Sequence, residues 1–162
     1  MTKSVLGHLN IEIRDTKRSE WYYDRFLGRL GFRRFVRDPS YVAYTNDSLS
    51  IWLIRNSSGR ISRRPLTGDE EVVAEHLAFR VASAAELASI EADLQRQELY
   101  PTFRMEEHPE FRPGYVSATW VDPDNVVLEI YAISTKRPPK HRPARRSHRE
   151  RTRGRPRQRA AR

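Results

Sequence analysis

Two stretches of this chain open in the same way. His8-Leu9-Asn10-Ile11-Glu12-Ile13 and His76-Leu77-Ala78-Phe79-Arg80-Val81 each set a histidine before an alternation of apolar residues, 68 residues apart. Each then runs into a segment with helical spacing. An internal repeat constrains a fold more than any single motif, because each copy is one supersecondary unit that needs its neighbour to bury a common face. The repeat also places one ligand-capable side chain at the same structural position in both halves. Near the end of the second half, Val126-Val127-Leu128-Glu129-Ile130-Tyr131 adds a carboxylate, Glu129. Two histidines and one carboxylate on matching strands point to a metal site.

Periodicity and turn residues divide the halves alike. The first predicts a strand at about 6–13, a helix at about 17–30, and strands at 32–37, 41–45 and 49–55. Tyr23, Leu27 and Leu30 share one helical face, Arg14-Asp15-Thr16 is the polar junction before it, and Gly31 marks its exit. Asp38-Pro39-Ser40 and Asn46-Asp47-Ser48 supply turns. The second predicts a strand at 75–81, a helix at 84–97 carrying Leu87, Ile90 and Leu94, and strands at 100–106, 114–121 and 126–132. Asp122-Pro123-Asp124-Asn125 forms the last turn, where asparagine tolerates the left-handed backbone. Residues 56–73, with Gly59, Pro65 and Gly68, form a polar linker. The fold class is α+β: two βαβββ modules, about 5–55 and 74–133, within a domain of residues 1–135. They are expected to form a curved mixed sheet, a cup, with helices on its outer face.

Strand alternation assigns the faces. Leu9, Ile11 and Ile13 point toward the helix, and His8, Asn10 and Glu12 away from it. Leu77, Phe79 and Val81 repeat the covered set, leaving His76, Ala78 and Arg80 opposite. Leu128 and Ile130 are covered, leaving Val127, Glu129 and Tyr131 opposite. His8, His76 and Glu129 therefore share the face away from the helices.

The formal net charge of +9 is unevenly placed. Of 30 Lys and Arg, 13 fall in residues 136–162 against one acid, Glu150, so residues 1–135 are mildly acidic. Residues 136–162 hold four prolines and no apolar side chain larger than alanine, the composition of a disordered Arg-rich tail. Within it, Arg151-Thr152-Arg153-Gly154-Arg155-Pro156-Arg157 resembles the core of an AT-hook. Arg153, Arg155 and Arg157 are its candidate nucleic-acid contacts, giving weak, salt-sensitive, largely non-specific binding as an accessory role. The absence of cysteine excludes disulfides and thiolate chemistry. No apolar run approaches the length of a membrane span and no signal segment opens the chain, so a cytoplasmic protein is expected.

Gly7-His8-Leu9, Tyr22-Tyr23, Leu27 through Leu30-Gly31-Phe32, His76-Leu77-Ala78-Phe79 and Asp122-Pro123-Asp124-Asn125 with Leu128-Glu129-Ile130 together resemble the vicinal oxygen chelate superfamily. It includes glyoxalase I, extradiol dioxygenases and fosfomycin- and bleomycin-resistance proteins. The resemblance covers about residues 5–133 and implies paired modules holding a divalent metal, with His8, His76 and Glu129 where three ligands sit. Imidazole and carboxylate suit Zn, Fe(II), Mn or Ni, and three ligands leave positions for substrate oxygens. It also implies a homodimer in which one cup takes ligands from both chains. Glyoxalase I has a fourth ligand on the last strand of its first module. Aligning Ser48-Leu49-Ser50-Ile51-Trp52 with Asn125-Val126-Val127-Leu128-Glu129 puts Trp52 there, so the set is more like the dioxygenase and fosfomycin-resistance branches. Those branches tend to carry a tyrosine ten residues before the glutamate, where this chain has Thr119.

The function implied is a metal-dependent enzyme of lyase, isomerase or dioxygenase type acting on a small molecule with vicinal oxygens. The alternative is a metal-free, resistance-type protein that binds a small molecule. Trp52, Tyr131 and Trp120 are candidates to line the cup, with ordinary packing the alternative for each, and Arg80 and Arg112 are candidates to anchor an anionic substrate group. Arg80 is also a candidate ion-pair partner for Glu129. His108 reads as a solvated loop histidine, with a lid or general-base role as the alternative.

Overall fold

Both helices begin where a short polar side chain can replace the missing turn of backbone acceptors. In the computed structural model, which describes residues 4–58, 61, 63 and 76–134, Asp15 is extended and its carboxylate accepts from Arg18 N. Ser83 does the same for Glu86 N, and Glu86 reaches back to Ala82 N. Such caps are worth about 1 kcal/mol each. The helix-to-strand exit in the first half passes through Gly31 at φ +80, with Phe32 N returning to Leu27 O.

The chain order is β1 (His8–Ile13), α1 (Thr16–Gly28), β2 (Arg33–Asp38), β3 (Tyr41–Thr45), β4 (Ser50–Arg55), β5 (His76–Arg80), α2 (Ala84–Arg96), β6 (Phe103–Glu107), β7 (Tyr115–Val121) and β8 (Val127–Ile133). This is βαβββ twice. The strands form two four-stranded mixed sheets, ordered β1-β4-β3-β2 and β5-β8-β7-β6. The first strand of each module pairs in parallel with the last, and the other pairs are antiparallel. The strand predicted from residue 100 begins at Phe103. Glu98 adopts φ 66 and Leu99 N bonds Leu94 O, so residues 97–99 complete the helix exit instead. Asn125 takes φ 65, as its place in the last turn predicts.

The covered faces of both sheets feed a single apolar cluster. Ile11, Ile13, Val42, Tyr44, Ile51 and Leu53 come from the first sheet, and Ala118, Trp120, Leu128 and Ile130 from the second. Phe26 of α1 joins them, lying edge-on to Phe79 and to Trp120, with ring centroids 6.1 and 5.6 Å away. Two buried polar atoms in this region, Tyr22 Oη and Trp120 Nε1, have no hydrogen-bond partner among the described residues.

The seam between modules is polar, built from the Asp122–Asn125 turn and the start of α1. Asp122 Oδ1 accepts from Asp124 N and Val126 N at 2.8 and 2.6 Å, and Oδ2 accepts from the Tyr23 hydroxyl at 2.9 Å. Asp124 takes Arg14 N on one oxygen and the Arg14 guanidinium on the other, both at 3.1 Å. Both aspartates are buried. Burial raises the Asp122 carboxyl above its ordinary value, Asp124 adds to the rise, and its hydrogen bonds oppose it. No helix among the described residues is long and apolar enough to cross a membrane.

Candidate functional site

The open face of the second sheet brings three polar side chains together. The register pairs Ala78 with Glu129 and Thr119 with Glu129, so Glu129 sits mid-sheet on the side away from Leu128 and Ile130. His76, at the start of β5, places Nε2 3.4 Å from Glu129 Oε2. The Tyr115 hydroxyl donates to Glu129 Oε1 at 2.7 Å. Burial raises the Tyr115 hydroxyl well above its ordinary value, and the bond to and charge of Glu129 raise it further. Tyr115 is thus a neutral donor that orients the carboxylate and leaves Oε2 directed to His76.

An aromatic series continues from this point. Tyr115 and Tyr131 stack with centroids 5.0 Å apart and planes 12° from parallel. Phe111 lies edge-on to Tyr115, and His108 stacks on Phe111 at 5.5 Å. Phe111 is 72% exposed, so one end of the series faces solvent. His108 is half-buried rather than solvated, its Nδ1 3.0 Å from Glu110 Oε1.

The first sheet presents a different open face. Its register pairs Asn10 with Trp52 and His8 with Ser50, matching Ala78 with Glu129 and His76 with Val127. Trp52 therefore occupies the position in the first module that Glu129 occupies in the second, as the sequence alignment of the two halves places it. Its ring meets Phe35 edge-on at 5.7 Å and Tyr41 at 5.9 Å. His8 is exposed at the start of β1.

Of the predicted metal ligands, the chain brings together His76 and Glu129. His8 does not join them: among the described residues no group of three His, Cys, Asp or Glu side chains could hold a metal ion. Tyr131 stands on the Glu129 face, as predicted. Arg80 is opposite Tyr131 in register and exposed, and Arg112 lies in the exposed turn before β7. Trp120 takes the packing alternative: it pairs with Leu128 and is 1% exposed in the core. Among the described residues the partners of Glu129 are His76 and Tyr115, and Arg80 is not one of them. Tyr115 and Phe111 escaped sequence reasoning. The available signal was strand parity, which puts Tyr115 on the same side as Thr119 and so on the Glu129 face. Arg153, Arg155 and Arg157 lie outside the described residues, with the rest of residues 135–162.

Comparison with known proteins finds no matching family model and no matching curated protein. Solved structures do match. A glyoxylase/bleomycin resistance protein/dioxygenase domain from a Frankia species is 22% identical, with TM-score 0.60, covering 84% of this chain and 96% of its own. A glyoxalase/bleomycin resistance protein/dioxygenase from Nocardioides is 14% identical, with TM-score 0.62 and coverages of 85% and 88%. The chain has the fold of these proteins. A lactoylglutathione lyase from Agrobacterium tumefaciens shares it at 16% identity and TM-score 0.59, with 81% and 95% covered. Identities this low carry the fold alone, and one fold hosts more than one chemistry, so activity has to be argued from the open faces themselves.

Proposed function

We propose that this protein is a metal-dependent enzyme acting on a small molecule with vicinal oxygens, by lyase, isomerase or dioxygenase chemistry. The observation that carries the reading is the approach of His76 Nε2 to Glu129 Oε2, with the Tyr115 hydroxyl holding the other Glu129 oxygen. One imidazole and one carboxylate supply two donors of the type that Zn, Fe(II), Mn or Ni accepts. Among the described residues of one chain the set is one donor short, and His8 of a second copy is the candidate to complete it. A bound divalent ion would supply Lewis acidity toward a chelating substrate. This chain's residues would do the rest: Tyr115 orients Glu129, and the Tyr115–Tyr131 stack with Phe111 gives a flat apolar wall beside it. Arg80 and Arg112 are the candidate anchors for an anionic group.

A shared site makes a sharp test. Metal content after stripping and reloading should be stoichiometric in a wild-type dimer and lost in both His8→Ala and Glu129→Ala. Mixing the two variants should restore one intact site per mixed dimer. Sub-stoichiometric metal in the wild type would sink the metal reading. A monomer with full metal would reject the sharing alone.

Trp52 with Phe35 and Tyr41 favours a second reading, a metal-free protein that binds a ring-bearing small molecule. Stoichiometric ligand uptake that survives in a His8→Ala, Glu129→Ala double variant would support it over the first. The accessory affinity of residues 136–162 for nucleic acid is read by retention on DNA at low salt, compared with a chain ending at Thr135.

A further inference from the structure

At the far end of the first module, a concavity of about 440 Å³ opens where β1 meets α1, bounded by the β2–β3 turn and the end of β4. Its volume falls within the range of small-ligand sites, about 300–1,000 Å³. Four cations line it, Arg14, Lys17, Arg37 and Arg55, together with two carboxylates, Asp15 and Asp38. Every lining residue belongs to the first module, so this concavity is separate from the Glu129 face of the second.

The cations are of two kinds. Arg14 and Arg37 are held from outside the concavity. Arg14 is fixed by Asp124, whose side chain is 3% exposed, and Arg37 Nε by Glu20 at 2.8 Å, whose side chain is 12% exposed. Fixed guanidinium groups lose little freedom when a ligand arrives. The side chains of Lys17 and Arg55 are exposed and pair with no described residue. Of the two carboxylates, Asp15 is engaged by Arg18 N and Asp38 by Ser40 N, so neither neutralises Lys17 or Arg55 through an ion pair.

We infer that this concavity binds the phosphate group of a small phosphate monoester. Lys17 and Arg55 are the two cations without an ion-pair partner among the described residues, and ammonium and guanidinium groups are the donors that phosphate oxygens take most strongly. Asp15 and Asp38 in the wall disfavour an extended polyanion, which would have to cross them.

The test uses the full-length chain, with glycerol 3-phosphate and inorganic phosphate as probes at fixed ionic strength, followed by amide NMR shifts of Thr16, Lys17 and Arg55. The expected result is saturable binding of glycerol 3-phosphate at these amides, weakened at least tenfold in Lys17→Ala, Arg55→Ala. The melting midpoint and metal content of that variant should match the wild type, so this outcome is independent of the metal reading. Shifts that grow linearly without saturation overturn the proposal. So does saturable binding undiminished in the double variant, which would assign the phosphate to other cations, including those of residues 136–162. A single-stranded oligonucleotide that displaces glycerol 3-phosphate from these amides at lower phosphate concentration would replace a small-molecule site with a nucleic-acid surface.

Discussion

Trp52 and Glu129 stand at equivalent points of the two modules, each across from the residue two after a histidine that opens a strand. The covered faces behind them are interchangeable in character: Ile51 and Leu53 in one, Leu128 and Ile130 in the other. The open faces are not. One is aromatic, with Trp52 between Phe35 and Tyr41, and the other gathers an imidazole, a carboxylate and a phenol. A repeated unit is held to its pattern by the core it must fill, and the opposite side of each strand is left free to specialise. Among the described residues the His76–Glu129 pair lies in the second half, and the first half offers an aromatic surface and His8.

Tryptophan gives the largest test of that contrast. Trp120 is closed in the core and touches Phe26, so Trp120→Ala should cost about 3–5 kcal/mol. Trp52 is half-buried on an open face, and Trp52→Ala should cost no more than about 1.5 kcal/mol. Urea melts of the two variants check this. Equal losses would mean that the first open face is covered, as a dimer contact would cover it.

The seam comes next. Asp122→Ala leaves two buried amides and the Tyr23 hydroxyl unpaired, a loss of about 3 kcal/mol. Asp122→Asn keeps an acceptor for the amides and removes the titration. The folded-state value of Asp122 is raised, so its contribution to stability is full below the ordinary 3.8 and falls as pH climbs through the raised value. Wild type should therefore gain on Asp122→Asn as the pH is lowered from 7 toward 4, measured by denaturant midpoints. A gap that stays flat or shrinks in acid contradicts the assignment.

The smallest effect sharpens the comparison on the second face alone. Tyr115→Phe removes the bond to Glu129 and keeps the stack on Tyr131. Metal affinity should fall about tenfold with melting nearly unchanged, in line with the loss of an outer hydrogen bond to a ligand. An unchanged affinity would show that His76 alone orients the carboxylate.

Much of this was legible beforehand, for identifiable reasons. Alternation with period two fixed which side His76 and Glu129 would take, and turn residues fixed nearly every strand and helix to within two or three positions. Trp120 stayed open between cup and core because its side depends on register across the Asp122–Asn125 turn. That turn pairs Val121 with Val127 and so sets Trp120 against Leu128. The Tyr115 contact was hidden because it joins Glu129 to a residue four register pairs along the ladder, and only the shape of the sheet decides whether such side chains meet. Asp122 and Asp124 read from the sequence only as residues of the last turn. Their burial comes from Arg14, Ser19 and Tyr23, about a hundred residues earlier in the chain, which no local pattern announces.

One clasp at the end of β8 has a wider consequence. Ser134 N bonds Gly114 O at 2.7 Å, and Gly114 holds φ +77 with no room for a side chain: an added Cβ would lie 2.8 Å from Ser134 O. The turn that presents Phe111 and the last described residue of the chain are thereby stapled to each other. Gly114 immediately precedes Tyr115, and β8 carries Glu129, so a side chain forced in at Gly114 would pull the Tyr115 hydroxyl away from Glu129 without altering either residue.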